Sequence, residues 1–183
     1  MQVGLVERAQ LGDREAFDAL VAASIDHSYA IAYRIVRDPG RAQDATQQAY
    51  LSAWRDLPTL REPEKFDAWL RRLLVRACYA EAERDRRWAA GVRLIPPDTA
   101  MVADTATALA DADELERAFR RLKADERAVL VLHHYLGIPL TEIAATLDIP
   151  AGTARSRLHN ATRRLRAAIE ADARPTNPKE QTA

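Results

Sequence analysis

The sequence predicts an all-α protein: two small helical domains joined by a flexible linker. Three observations carry that expectation. Apolar residues recur at helical spacing almost throughout, and no segment alternates with the period of a strand. The pattern lapses between residues 88 and 112, where Pro96-Pro97 and scattered Asp and Thr stand, and then resumes. A length of 183 residues suits one ordinary domain or two small ones.

The first stripe follows Gly12. Asp13 is placed to cap a helix, its carboxylate accepting from the free amides of the first turn. Ala16, Phe17, Leu20, Val21 and Ile25 lie on one side of that helix, and Tyr29, Ala32, Tyr33 and Val36 continue the stripe. Asp38-Pro39-Gly40 signals a turn, after which Thr46, Tyr50, Ala53, Trp54 and Leu57 form a third stripe. A long fourth stripe runs from Phe66 through Trp69, Leu70, Leu73, Leu74, Ala77 and Cys78. Helical periodicity resumes with Leu115, Ala118, Phe119 and Leu122 and leads into the apolar run 128–132. The expected boundaries are a domain over 1–87, a linker over 88–112, a domain over 113–172, and a frayed tail over 173–183.

Composition excludes several classes. The single cysteine, Cys78, cannot form an internal disulfide, and its place on the apolar side of its helix predicts a buried, inert thiol. No Cys/His cluster suits zinc; His133 and His134, beside an apolar run, fit packing or surface roles better than metal ligation. A signal-peptide run is absent, as is any stretch approaching a membrane span, which predicts an intracellular, cytoplasmic protein. The chain also has no Gly-rich phosphate loop, no His-Glu metal motif and no nucleophile–base constellation. Neither an enzyme nor a cofactor, metal or small-molecule substrate is expected.

The zero net charge is a cancellation. Residues 1–87 hold 14 basic and 14 acidic groups, 88–113 are net −3, 114–172 net +2, and the tail net +1. Two stretches are locally basic: 71–87, with six Arg against three acids, and 155–166, with five Arg and no acid.

The second of these stretches lies in a recognisable motif. A short helix with Ile143, Ala144 and Leu147 inward is followed by a turn at Asp148-Ile149-Pro150 and a second helix starting near Ala151-Gly152-Thr153. That helix sets Ala154, Leu158, Ala161, Leu165 and Ile169 inward, while Arg155, Ser156, His159, Asn160, Arg163 and Arg164 face outward and Arg157 sits on the flank. This is the pattern of a helix-turn-helix, whose second helix enters the major groove. Arg can bond guanine bidentately and Asn adenine, while flanking Arg and hydroxyl groups hold phosphates. An ordinary amphipathic hairpin with a solvated basic face accounts for the arginines alone, but not for the joint pattern.

The first basic stretch is less distinctive. Arg72, Arg76, Tyr79 and Glu83 share a face, beside Arg71, Arg86 and Arg87. Arginines interleaved with an aromatic suit an unstacked single strand, the ring stacking on a base. On its own, a helix laced with Glu81, Glu83 and Asp85 reads more readily as solvated surface, with Tyr79 in the core.

Taken together, residues 12–87 and 114–170 resemble an extracytoplasmic-function (ECF) sigma factor of the sigma-70 family of bacterial RNA polymerase subunits. The N-terminal likeness rests on Gly12-Asp13-Arg14-Glu15-Ala16-Phe17, the run 44–54 from Asp44 to Trp54, and Phe66-Asp67-Ala68-Trp69-Leu70-Arg71-Arg72. The C-terminal likeness rests on Glu142-Ile143-Ala144 and the run 149–158 from Ile149 to Leu158. By this resemblance the chain is a promoter-specificity subunit with a region 2-like and a region 4-like domain. Asp44, Gln47 and Gln48 would dock on the polymerase clamp coiled coil, with Trp54 a core anchor below. Arg72, Arg76, Tyr79, Arg86 and Arg87 would melt and read the promoter minus-ten element. Thr153, Arg155, Ser156, Arg157, His159, Asn160 and Arg163 would read the minus-thirty-five element, with the region 4-like domain at the polymerase flap. An anti-sigma factor is the further partner so implied.

Three positions depart from the family pattern: Gln48 stands where Glu is usual, Arg76 where Asn is common, and Ala154 where Val is common. The first removes a negative charge from the docking motif, the second alters the minus-ten face, and the third trims one packing contact. A stand-alone helix-turn-helix regulator, its N-terminal domain dimerising or sensing, is the alternative. It predicts tight operator binding without polymerase.

Overall fold

The computed structural model describes residues 2–91 and 108–172, with side chains placed over 2–88 and 114–172. Every regular element among them is helical. The N-terminal half comprises α1 (Gln2–Gln10), α2 (Arg14–Val36), α3 (Pro39–Asp56) and α4 (Phe66–Gly91), with two short 3₁₀ turns between α3 and α4. The C-terminal half comprises α5 (Ala108–Arg120), α6 (Ala124–Leu130), α7 (Leu140–Leu147) and α8 (Ala151–Asp172). No helix among the described residues is long and apolar enough to cross a membrane.

Local chemistry sets the joints. Gly12 takes φ +92°, which only a residue without a Cβ adopts freely, and Asp13 Oδ1 then accepts from the Ala16 amide at 3.1 Å to start α2. The helix stops where Arg37 adopts φ 61° and donates its amide to the Tyr33 carbonyl at 2.8 Å. Asp38 caps the next helix through the Arg41 amide at 2.8 Å, and Pro39 supplies a first-turn residue with no amide to satisfy. In the C-terminal half, the Glu126 carboxylate accepts from the Lys123 amide at 3.0 Å at the start of α6. A single π turn over Val131–Tyr135 extends that helix, and Gly137 at φ +66° ends it. The turn between α7 and α8 is made by Asp148, at φ 55° and ψ 49°.

Two apolar cores result. One joins α1 to α4: Val6, Ala9, Phe17, Leu20, Ala53, Leu57, Phe66 and Leu70, with Tyr50 hydrogen-bonded through its hydroxyl to Ser24 (2.8 Å) and Ser28 (3.0 Å). Helix α1 was not anticipated; its buried contribution is only Val6 and Ala9, too short a stripe to read as a period. The second core is shared between the halves. Ile31, Ile35, Leu74, Val75 and Cys78 meet Leu122, Val129, Leu132, Ile138 and Ile143 in one continuous cluster.

That shared cluster is the main difference from expectation. The fold class and both helical halves are as predicted, but the halves lie against each other, α4 touching α6 and α7 and α2 touching α6. The linker bounds also differ: α4 continues through 88–91 and α5 begins at Ala108, so helix covers both ends of the expected 88–112 linker. Residues 92–107 and the expected tail, 173–183, lie outside the described residues. Helical period also misassigned a few stripe members: Ile25, Tyr29 and Leu115 sit at the surface, because period marks an apolar side without saying what covers it.

Candidate nucleic-acid and polymerase interfaces

Helix α8 presents the clearest face. The Pro150 carbonyl accepts from the Ala154 amide at 3.0 Å, so the helix begins immediately after the turn. Ala154 and Ala161 are buried, and Leu158 and Leu165 pack on the shared core. That orientation leaves Thr153, Arg155, Ser156, His159, Asn160 and Arg163 exposed on the opposite side. Ser156 Oγ donates back to the Thr153 carbonyl at 3.0 Å. Arg155, His159, Asn160 and Arg163 form no ion pair with the described residues, so the face is basic and uncompensated. Two other arginines of the stretch are occupied: Arg164 reaches Glu126 at 2.6 Å, and Arg157 is turned toward Asp125 at 3.6 Å, while Arg166 is exposed.

Helix α4 does not gather its five candidates on one open surface. Arg86 and Arg87 are exposed and both paired with Glu83, Arg87 at 3.3 Å. Arg76 is exposed, 3.8 Å from Asp148 of the turn after α7. Arg72 is half-buried, its Nε without a hydrogen bond. Tyr79 packs on the shared core with its hydroxyl buried beside Arg157 and Asp125, and burial pushes its phenol above the ordinary range. In this arrangement the ring is not available to a base. Cys78, next to it, is wholly buried, and burial pushes its thiol up to about 12.

Helix α3 carries a third face. Asp44, Gln47 and Gln48 are all exposed, Gln48 donating weakly to Ser52 Oγ at 3.4 Å. Beside them lies an apolar groove of about 800 Å³ between α2 and α3, bordered by Ile25, Tyr29, Gln47, Leu51 and Trp54. Trp54 is not a covered core residue. It is 37 % exposed, its ring tilted against Phe17 at 4.9 Å between centroids, and Leu51 is 58 % exposed. Sequence reasoning found the polar docking residues and missed this apolar flank. Several large side chains exposed together are its signal, and such patches mark interaction sites. Among the described residues no group of acidic, His and Cys side chains could hold a metal.

Residues 20–88 match the Sigma-70 region 2 family and residues 112–165 match the Sigma-70, region 4 family. The RNA polymerase sigma-H factor of Pseudomonas aeruginosa is 32% identical over 91% of this chain and 92% of its own length. The ECF RNA polymerase sigma factor SigM of Mycobacterium tuberculosis is 33% identical over 84% of this chain and 77% of its own. Among solved structures, CnrH in complex with the cytosolic domain of CnrY superposes with a TM-score of 0.64 at 26% identity, covering 94% of this chain and 99% of that one. A stand-alone regulator has no use for a region 2 domain, so the alternative is not favoured. With both regions in order on one chain and relatives matched over most of their length, the protein belongs to the ECF sigma factors of the sigma-70 family.

Proposed function

We propose a residue-level division of labour for this promoter-specificity subunit of RNA polymerase. Asp44, Gln47 and Gln48, with the groove flanked by Leu51 and Trp54, meet the clamp coiled coil of core polymerase. Arg72, Arg76, Tyr79, Arg86 and Arg87 hold and unstack the minus-ten strand. Thr153, Arg155, Ser156, Arg157, His159, Asn160 and Arg163 read the minus-thirty-five element in the major groove. The working units are 1–87 and 113–172. The subunit carries out no catalysis of its own and acts in the cytoplasm, where polymerase and promoter DNA are found.

The observation that carries this reading is the uncompensated basic face of α8, set apart from an exposed apolar-and-amide face on α3: one surface suits phosphate and base edges, the other a protein. The subunit promotes melting because it binds the unstacked strand better than duplex, which is how a ligand shifts any two-state equilibrium. The chain's overall neutrality keeps the sequence-independent phosphate term small. Polymerase then supplies most of the affinity. A protein antagonist completes the scheme, as the family likeness implies; CnrH, which is 26% identical, is itself held in a complex with a protein partner.

Transcription with purified core polymerase on a randomised promoter library tests the proposal. Transcripts selected for two spaced elements are expected only when this subunit is present. Core binding without any promoter-dependent product would refute it.

A further inference from the structure

Arg127 of α6 is a buried cation without an anion. It is 9 % exposed, and its Nε has no hydrogen bond. Among the described residues no carboxylate pairs with it. The acids beside it in sequence are committed elsewhere: Glu126 to Arg164 and to the Lys123 amide, Asp125 toward Arg157. Arg37, at the end of α2, is likewise buried with an Nε that lacks a hydrogen bond. It shares its partner, Glu116, with Arg120 of α5. Burial, and then the neighbouring Arg37, pushes the Arg127 guanidinium down from its ordinary value. Three helices thus bring arginines together with too little negative charge to balance them.

Arg127 borders a cleft of about 670 Å³. The cleft's other cations are Arg41, Arg86, Arg120 and Lys123, and its acids are Glu83, Asp85 and Asp125, so five basic groups face three acidic ones. Arg41 pairs with Asp85, Arg86 with Glu83, and Arg120 with Glu116 at 3.1 Å. The excess therefore falls on Arg127 and on Lys123, which is exposed and pairs with no carboxylate of the described residues. A buried charge left without a partner is costly, and a bound anion relieves that cost. The volume falls within the ~300–1,000 Å³ usual for small-ligand sites.

We propose that this cleft binds a small phosphate-bearing anion, with Arg127 and Lys123 on the phosphate oxygens and Arg120 completing the cationic wall. An excess of two cations calls for a ligand with at least two negative charges, which pyrophosphate and phosphate esters carry and a simple carboxylate does not. A guanidinium fork matches phosphate oxygens two at a time, while an ammonium supplies a movable point charge beside it. The site stands apart from the division of labour proposed above, because Arg120, Lys123 and Arg127 belong to none of its three sets.

Calorimetric titration and thermal unfolding of the full chain with pyrophosphate, against sodium chloride at matched ionic strength, test this. Binding is expected to saturate and to raise Tm by ~5–10 °C at a ligand concentration ~100 times Kd. Arg127→Met keeps an apolar stem and removes the cation: affinity should fall at least ~10-fold, the size of one charged hydrogen bond, while the ligand-free Tm holds or rises. An arginine needed only for folding would instead lower that Tm. Lys123→Gln, at an exposed position, should weaken binding a few-fold, and Lys65→Gln, exposed and outside the cleft, should not. Binding of pyrophosphate above ATP points to an inorganic anion, and the reverse order to a nucleotide; both support the site. A response no larger than that to sodium chloride, or unchanged affinity in Arg127→Met, would overturn it. If Arg127→Met fails to fold, unchanged affinity in Lys123→Gln overturns it instead. A short single-stranded oligonucleotide that displaces pyrophosphate, and loses affinity in Arg127→Met, would also overturn it by assigning the cluster to nucleic acid.

Discussion

Arg71 on α4 and Glu142 on α7, separated by 71 positions in sequence, meet at 2.8 Å across the seam between the two halves. Arg71 is largely covered and Glu142 half-exposed, which places the pair between a solvated and a buried bridge. A double-mutant cycle with Arg71→Ala and Glu142→Ala, followed by urea unfolding, should give a coupling of about 0.5–1 kcal/mol. The coupling should shrink in ~1 M salt, where screening acts over only ~3 Å. A coupling of zero at low salt would mean the contact contributes nothing to the seam.

Cys78 is expected to react with a thiol reagent only after denaturant is added, since it is wholly buried and its thiol is pushed up to about 12. The same shift has a stability consequence of fixed sign. The unfolded chain ionises this thiol near its ordinary 9.0 while the folded chain keeps it protonated, so above 9.0 the folded state binds more protons and stability falls as pH rises toward about 12. Urea midpoints measured at pH 8 and pH 10.5 should therefore fall more in the native chain than in Cys78→Ala.

The two arginines of the open α8 face should separate by kind. Arg155, in the first turns, is placed for base edges; Arg155→Ala should cost ~1–3 kcal/mol of promoter affinity and relax preference at one minus-thirty-five position. Arg163, two turns further on, is placed for phosphate. Arg163→Ala should weaken all promoters alike and lower the salt slope of binding by about 1. Holoenzyme binding titrated at several salt concentrations distinguishes the two outcomes.

The departures at Gln48 and Arg76 invite reversion. Gln48→Glu restores a carboxylate to the exposed docking face and should tighten core binding by a few-fold at low salt, an effect of the size of one exposed charge contact. Arg76→Asn should change which minus-ten sequences the holoenzyme selects while leaving core affinity unchanged. Competition binding to core and promoter selection from a library measure these separately.

Much of this was legible in the sequence because it is local. Asp13 announces a helix start through its own amide partner three residues on, and the α7–turn–α8 unit is written within residues 139–166; Asp38-Pro39-Gly40, expected as a turn, instead caps and opens α3. The outward set on α8 follows from one helical period once Ala154 and Ala161 are taken as inward, and both are buried. The seam was not legible. Its apolar residues look like two ordinary domain cores, and nothing in the spacing of Leu74 or Ile143 says that the cores are continuous. Tyr79 shows the limit best: its sequence context favours a core reading over a stacking one without excluding either, and only the position of the other half decides between them here.

The residue at the helix-turn-helix corner holds two separable duties. Backbone geometry at position 148 requires only a side chain that tolerates φ near 55°, a demand glycine or asparagine also meets. Its carboxylate, aimed at Arg76, is surplus to the corner. Asp148→Gly therefore separates the two: it keeps the geometry of the corner and removes only a carboxylate that is mostly solvated, so the shape of the helix-turn-helix does not depend on the charge at its bend.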